Sequence, residues 1–587
     1  NYDGQTFDLS FGHTQRPWLV PLSATEASPF GPSSQGWRIS EVQDAKAKAN
    51  AETSNGEADE TVICHVAADG FEERMVPFPV PSGSYRDLAV VKDGVVWIEV
   101  ADRGGELGAT RAGVTGEAPS DVLWHYNLSA RHLDKLCERV DTFSVSGDGE
   151  RLVVRHRDDT IVVPSSHKVD DDDPAYIRVD LTRLRRTVNP RAEWRQMFDE
   201  NGRLMASHYW REDMNGVDWD SVLNRYRPLV DLCHVVDDLH DILWETVAEL
   251  NTSHSYVSAS GAAGDSDMRA GLLGADVSSG NDGAKVVRVI PGESSDPRAW
   301  SPLRAAGVAV TEGDVIVAVD GRKVGADGNL GELLEGSAGR VVELTVRRGE
   351  NERQVAVVPM ADEAPLRYHD WVASRRRYVE EHSGGRLGYL HVPDMVSDGW
   401  AELHRQIGEA TRHEGVIADV RFNHGGHTSQ LVVERLARRV VGWDYSRWYA
   451  TADTYPQNAV RGPIVMVTNQ WAGSDGDIVA AATQAMGYAK VIGERSWGGV
   501  VGIDGRFDLV DGTSVTQPRY AGWYGSYGWG VENHGVDPDI VVTVSPEDWE
   551  ADCDVQLDAA IAECLRQLDD KPAATAPELP GPAFDRC

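Results

Sequence analysis

The sequence predicts a multidomain α+β chain, with a β-propeller-like part at the front, a helical linker in the middle and α/β layers behind. Length predicts the several domains: 587 residues exceed what one hydrophobic core organises, and about three to five domains are expected. Pattern predicts their class. Short apolar runs crowd the first third, a stretch of helical periodicity follows, and strands alternate with helices toward the end.

Residues 1–186 are expected to form β-propeller blades, in a partial set. Apolar runs such as Asp87-Leu-Ala-Val-Val-Lys, Val95-Val-Trp-Ile-Glu-Val and Arg151-Leu-Val-Val-Arg-His are broken by Gly, Asp and Pro, and Ser146-Gly-Asp-Gly-Glu reads as a hairpin turn. No repeat period stands out, so a sandwich fits the same pattern. The Asp170–Asp173 run lacks the ligand-and-glycine spacing of a calcium loop and reads as an exposed turn.

Residues 187–261 are expected to be a helical domain. Val236, Leu239, Leu243, Val247 and Leu250 recur at spacings of three and four, marking one buried helix face that ends near Asn251. Residues 262–360 form a further unit of strands around a short helix, and its stretch "GDVIVAVDGRKV" resembles the signature of PDZ domains, which accept peptide as an added strand. Any small barrel with an Asp-Gly turn is the plainer reading of that stretch. Residues 361–570 alternate strands (Leu387–Val392, Val416–Arg421, Ile464–Asn469) with helices (near Asp398–Arg412, Thr428–Val440 and Asp477–Met486). Such layers place a ligand site at the strand ends. A last amphipathic helix carries Leu557, Ile561, Cys564 and Leu565, and the Pro/Ala-rich stretch 571–587 is expected to be disordered.

Charge narrows the partners. With 57 basic and 93 acidic side chains, a formal net of −36, the field repels nucleic acid and anionic lipid, and neither is expected as a partner. No apolar run approaches the roughly 18 residues of a membrane span, and the first ten residues lack the basic start and apolar core of a signal peptide. The chain does not begin with Met, which fits processing or a piece of a longer parent. Six cysteines without CxxC pairs point to a reducing, cytoplasmic compartment rather than a disulfide framework or zinc ribbon.

Three segments carry residue types suited to chemistry. In "NQWAGSDGDIVAAA" (469–482) a strand runs into Gly473-Ser474-Asp475-Gly476 and a helix follows. A serine there lies where backbone N–H groups converge and can steady an oxyanion, although Ser and Asp at such a place usually just cap the helix. "DVRFNHGGHTSQ" (419–430) sets two glycines between strand and helix, which lets amides approach a carbonyl or simply makes a tight turn. His424 and His427 have no carboxylate or thiolate cluster with them, and no metal or other cofactor is expected. His254 lies between hydroxyls in "TSHSYV". A lone loop histidine is usually structural, and a general base needs a group to orient its ring. Ser253 and Glu532 are candidates, yet spacing alone joins none of them.

Taken together and in order, "TSHSYV" (252–257), "DVRFNHGG" (419–426), "NQWAGSDGDI" (469–478), "VIGERSWGGVVGI" (491–503) and "GVENHGVDPDI" (530–540) resemble tricorn core protease, a cytosolic peptidase family related to the C-terminal processing peptidases. The resemblance covers roughly 180–565 well and the front part by architecture alone. It implies a crotonase-like α/β catalytic domain, and a serine endopeptidase that cuts short peptides downstream of the proteasome. Ser474 would be the nucleophile, His254 the base, and Ser253 and Glu532 the rest of a tetrad. The amides of Gly426 and Asp475 would form the oxyanion hole, and Asp444 would recognise a basic side chain before the scissile bond. A homo-hexameric ring is implied, with peptides as substrates and aminopeptidases acting on the products. Two departures stand out. His424 takes the place of a glycine, and roughly 185 front residues suit about four blades, where the family carries two propellers. The missing blades either precede residue 1 in a longer parent or have been lost.

The nearest rival is a C-terminal processing peptidase with a Ser–Lys dyad. Its lysine would follow Gly493-Glu-Arg-Ser-Trp-Gly498, where this chain has Gly499. A catalytically inactive peptide-binding scaffold predicts a damaged catalytic set, whereas every side chain named above is present.

Overall fold

The computed structural model describes residues 5–6, 9–10, 15–23, 30, 66–69, 71–101, 120–157, 159–185, 187–259, 268–296, 298–325, 329–448, 450–505 and 507–579. It divides into two compact units, 1–186 and 187–587. The multidomain α+β class is seen in its elements.

In the first unit, Tyr85–Val91, Gly94–Glu99, Val122–Asn127 and His132–Glu138 form one four-stranded antiparallel sheet in sequence order. Thr142–Val145, Arg151–His156, Asp159–Pro164 and Ile177–Arg178 form a second. Each is a four-stranded meander, the unit from which propeller blades are built. Val96, Ile98 and Leu123 of one pack with Leu152, Val154 and Val163 of the other. The Ser146–Glu150 hairpin closes between strands of the second sheet, and Asp170–Asp173 is a turn.

The second unit begins with helices α1 (Pro190–His208), α2 (Trp219–Val230) and α3 (Val236–Ala248). Leu239, Leu243, Val247 and Leu250 are buried as the periodicity predicts, while Val236 stays exposed at the helix start. A six-stranded antiparallel sheet follows between 275 and 357, with the short helix Leu330–Leu333. Its core is Val286, Ile316, Leu344 and Val346.

Behind it lies a parallel sheet in sequence order: β1 (Leu387–His391), β2 (Gly415–Asp419), β3 (Ile464–Thr468), β4 (Ala489–Gly493) and β5 (Ile540–Val541). The first three are buried at every position, which is why they read as unbroken apolar runs. The crossovers α5 (Ser397–Ala410), α6 (Ser429–Leu436) and α7 (Asp475–Met486) cover one face. Helices α4 (Ala364–His382) and α8 (Val555–Asp570) cover the other. No helix among the described residues is long and apolar enough to cross a membrane.

The expectation of a disordered tail from 571 fails for its described part, 571–579. Ala574 exchanges contacts with Arg461, its amide donating to the Arg461 carbonyl at 2.8 Å, and Ala573 packs against the α4/α8 core. The composition is poor in apolar groups, but backbone hydrogen bonding holds the segment. Residues 580–587 lie outside the described residues.

Candidate active site

Ser474 stands at the N-cap position of α7, with φ 59° and ψ −118°, and its hydroxyl caps nothing. The simpler reading of the serine as a helix cap therefore fails. Its half-buried Oγ is left available at the C-terminal end of β3. Asp475 does not cap either. Its carboxylate accepts from the Ser429 amide at 2.9 Å and hydroxyl at 2.6 Å, tying the start of α7 to the start of α6.

The glycine turn after β2 folds over this serine. Gly425 has φ +76°, and a Cβ on it would come within 2.5 Å of the Ser474 Cβ. A Cβ on Gly426, φ +146°, would meet the Met395 carbonyl oxygen at 2.1 Å. Only glycine fits either place. Asn423 sets the turn: its side chain donates to the Val392 carbonyl at 2.8 Å and accepts from the Gly425 amide at 2.9 Å, while its carbonyl accepts from the Gly473 amide at 3.0 Å. Among the described residues the Gly426 and Asp475 amides have no protein acceptor. His424 is exposed, and its amide donates to the Pro393 carbonyl at 3.0 Å.

His254, 7% exposed, arrives from a distant part of the chain. Its carbonyl accepts from the Thr516 hydroxyl at 2.7 Å, and Val257–Ser258 pairs with Ser514–Val515. The His254 Nδ1 lies 2.9 Å from the Ser253 Oγ, which donates to Glu532 Oε2 at 3.1 Å. Glu532 also accepts from the amides of Ser253 (2.8 Å), Val500 (2.7 Å) and Val501 (3.0 Å). An ionised carboxylate only accepts, so the Ser253 proton points at Glu532 and Nδ1–H donates to Ser253. That tautomer leaves the Nε2 lone pair for a proton. Burial pushes the His254 pKa below its ordinary value, and the Glu532 charge acts the other way. Desolvation is the larger of the two effects.

No hydrogen bond joins His254 directly to Ser474, and Trp497 touches both neighbourhoods. Its ring meets His254 edge-on with centroids 5.5 Å apart and packs over Gly473, and its amide donates to the Ala472 carbonyl at 2.9 Å. Buried Asp477 holds this loop. It accepts from the Ser496 hydroxyl, from Gly498 N at 2.8 Å and from Gly499 N at 3.2 Å. Burial pushes its pKa up to about 6 against those bonds. The sequence reading missed Asp477 and Trp497; the only signal was a second acid, after Asp475, in the first turn of α7.

Asp444 is not brought into this cluster. It is exposed at the end of the hairpin Gly442–Asp444/Asp453–Tyr455, opposite Asp453. Trp448, four residues further on, is 75% exposed.

Family models match three stretches, taking up a little over half of the chain: the tricorn protease C1 domain over 190–248, the tricorn protease PDZ domain over 271–362, and peptidase family S41 over 386–542. The chain is 52% identical to tricorn protease homolog 1 of Streptomyces coelicolor over 99% of its own length and 54% of that protein's. A crystal structure of the tricorn protease superposes with a TM-score of 0.81 at 31% identity, over 97% of this chain and 53% of that one. The chain belongs to the tricorn protease family. It spans about half the length of the curated relatives it matches, as it does for the tricorn protease of Thermoplasma acidophilum, 34% identical over 84% of this chain and 46% of the relative. Within this tricorn-family chain, the strand-to-helix turn of Ser474 and the glycine turn both fall inside the S41 match, and Ser253 and His254 lie just past the C1 match.

Proposed function

We propose that this chain is the catalytic part of a serine endopeptidase acting on short peptides. Ser474 carries the proposal: it is a serine at a strained strand–turn–helix whose hydroxyl makes no cap. In the proposed reaction Ser474 Oγ attacks the scissile carbonyl as His254 Nε2 takes its proton, and the Gly426 and Asp475 amides receive the oxyanion. Collapse expels the amine, which takes the proton from His254. Water then attacks the acyl-enzyme by the same route and frees Ser474. Ser253 and Glu532 hold the imidazole tautomer throughout. A serine–lysine dyad finds no support, because position 499, where that lysine would stand, is glycine.

The finer reading adds peptides arriving from the proteasome in the cytoplasm, a homo-hexameric ring and aminopeptidases acting on the products. Asp444 would prefer a basic residue before the cut, in its own site or a neighbour's. Two carboxylates opposite each other on an exposed hairpin repel, and a cation would relieve them.

A fluorophosphonate probe tests the central reading: it should label the wild-type chain at Ser474 and leave Ser474→Ala unlabelled. A folded chain that takes no label would favour the inactive scaffold. For specificity, Asp444→Asn should cost about 1.5–3 kcal/mol in kcat/KM on a substrate with Arg before the cut and little on its Leu counterpart. Equal losses would assign Asp444 to the hairpin's structure.

A further inference from the structure

Across the sheet from α7, the C-terminal ends of β2 and β3 open into a cavity of about 560 Å³ on the side of α4 and α8. Trp371, Phe422, Trp471 and Trp549 wall it. Its floor is electrically spent. The Arg421 guanidinium forks between Asp419 (2.7 Å) and Asp554 (2.8 Å), and Arg375 reaches Asp554 at 3.2 Å. Three further carboxylates line the space: Glu494, Asp548 and Asp552. Glu494 accepts one long bond from the Gln556 amide at 3.4 Å, and Asp548 accepts from the Ser545 amide at 2.9 Å. Among the described residues none of the three has an ion-pair partner.

Aromatic faces attract cations, most of all planar guanidinium groups that stack on them, and uncompensated carboxylates at the same rim add charge-assisted hydrogen bonds. An anion would meet three like charges, and a neutral apolar ligand would desolvate them without return. We propose that this cavity binds the arginine side chain of a peptide, at a site separate from both Ser474 and Asp444. Its placement gives it a view of the catalytic loops. Asn469 Oδ1 accepts from the Phe422 amide at 3.0 Å and the Trp471 amide at 3.2 Å, so the loops that lead to the glycine turn and to Ser474 both line the cavity. Its charge balance is the same whether or not Ser474 is a nucleophile.

The probe is N-acetylagmatine, a guanidinium on an arginine-length stem with no other charge, titrated into the full chain by calorimetry and tryptophan fluorescence beside its neutral urea isostere. Saturable binding of the guanidinium compound is expected, with the isostere weaker by about tenfold or more. Asp552→Asn and Glu494→Gln should each weaken it several-fold. Trp549→Ala, at a position 78% exposed and so safe for folding, should weaken it and diminish the fluorescence change. Asp444→Asn should leave it unchanged. No saturable binding, equal binding of the urea, or loss in Asp444→Asn with retention in the three cavity variants would each overturn the proposal.

Discussion

The turn that holds Ser474 and the relay that holds His254 are built in opposite ways. The first is local: β3, a short loop and α7 follow one another along the chain, and a strained backbone with an uncommitted hydroxyl follows from a few residues. The second is assembled from chain segments near 254, 500, 515 and 532, joined by hydrogen bonds across long stretches of sequence. A local device fails when its own residue changes. An assembled one degrades gradually, because its neighbours still hold part of the geometry.

That contrast orders the expected effects. Ser474→Ala should remove several orders of magnitude of kcat with an unchanged melting temperature; retained turnover in the purified variant would end the catalytic reading. Gly426→Ala forces a Cβ into the Met395 carbonyl, and since it moves the amide proposed as an oxyanion donor it should cost about 10²–10³ in kcat. A loss confined to KM would show that the amide only binds. Glu532→Gln belongs to the assembled side and should lower turnover by about tenfold or more. Its pH profile sharpens the comparison. If His254 is the base it has to be neutral, so activity should fall as pH drops through a His254 pKa already below its ordinary value. Removing the charge that raises this pKa should move the acid limb lower still. An unmoved limb would separate Glu532 from His254.

The smallest effect is expected at the joint between the two devices. Asp477→Asn keeps the volume and some of the bonds, and turnover should fall only a few-fold. Stability is the better readout. A folded pKa of about 6, above the ordinary 3.8, means the folded chain holds this proton more tightly than the unfolded one. The group's contribution is therefore present at low pH and is lost as pH rises through about 6. The difference in melting temperature between wild type and Asp477→Asn should change sign or shrink across that window, and a constant difference would remove Asp477 from the pH response.

The same contrast explains what the sequence disclosed. β1 to β3 were legible because strands buried on both faces have no other way to be written, and α3 because its buried stripe is periodic. Ser474 was legible as a position but not as a function, since capping looks identical in letters. The Glu532–Ser253–His254 relay became legible only through resemblance to a family, because nothing at 532 signals a partner at 253. The exposure of Asp444 was illegible for a related reason: a tryptophan near an aspartate encloses it only if the backbone curls, and Trp448 is left exposed beyond the hairpin's paired strands. The strapped tail was misread because composition measures apolar content and takes no account of backbone bonds to Arg461.

Ser474 sits in a backbone region that glycine occupies freely and a side chain enters at a cost on the order of 1–3 kcal/mol. Replacement by glycine would thus relax the fold at the very residue proposed to do the work. Ser474→Gly should therefore raise the melting temperature while removing turnover, separating what the hydroxyl does from what the backbone prefers.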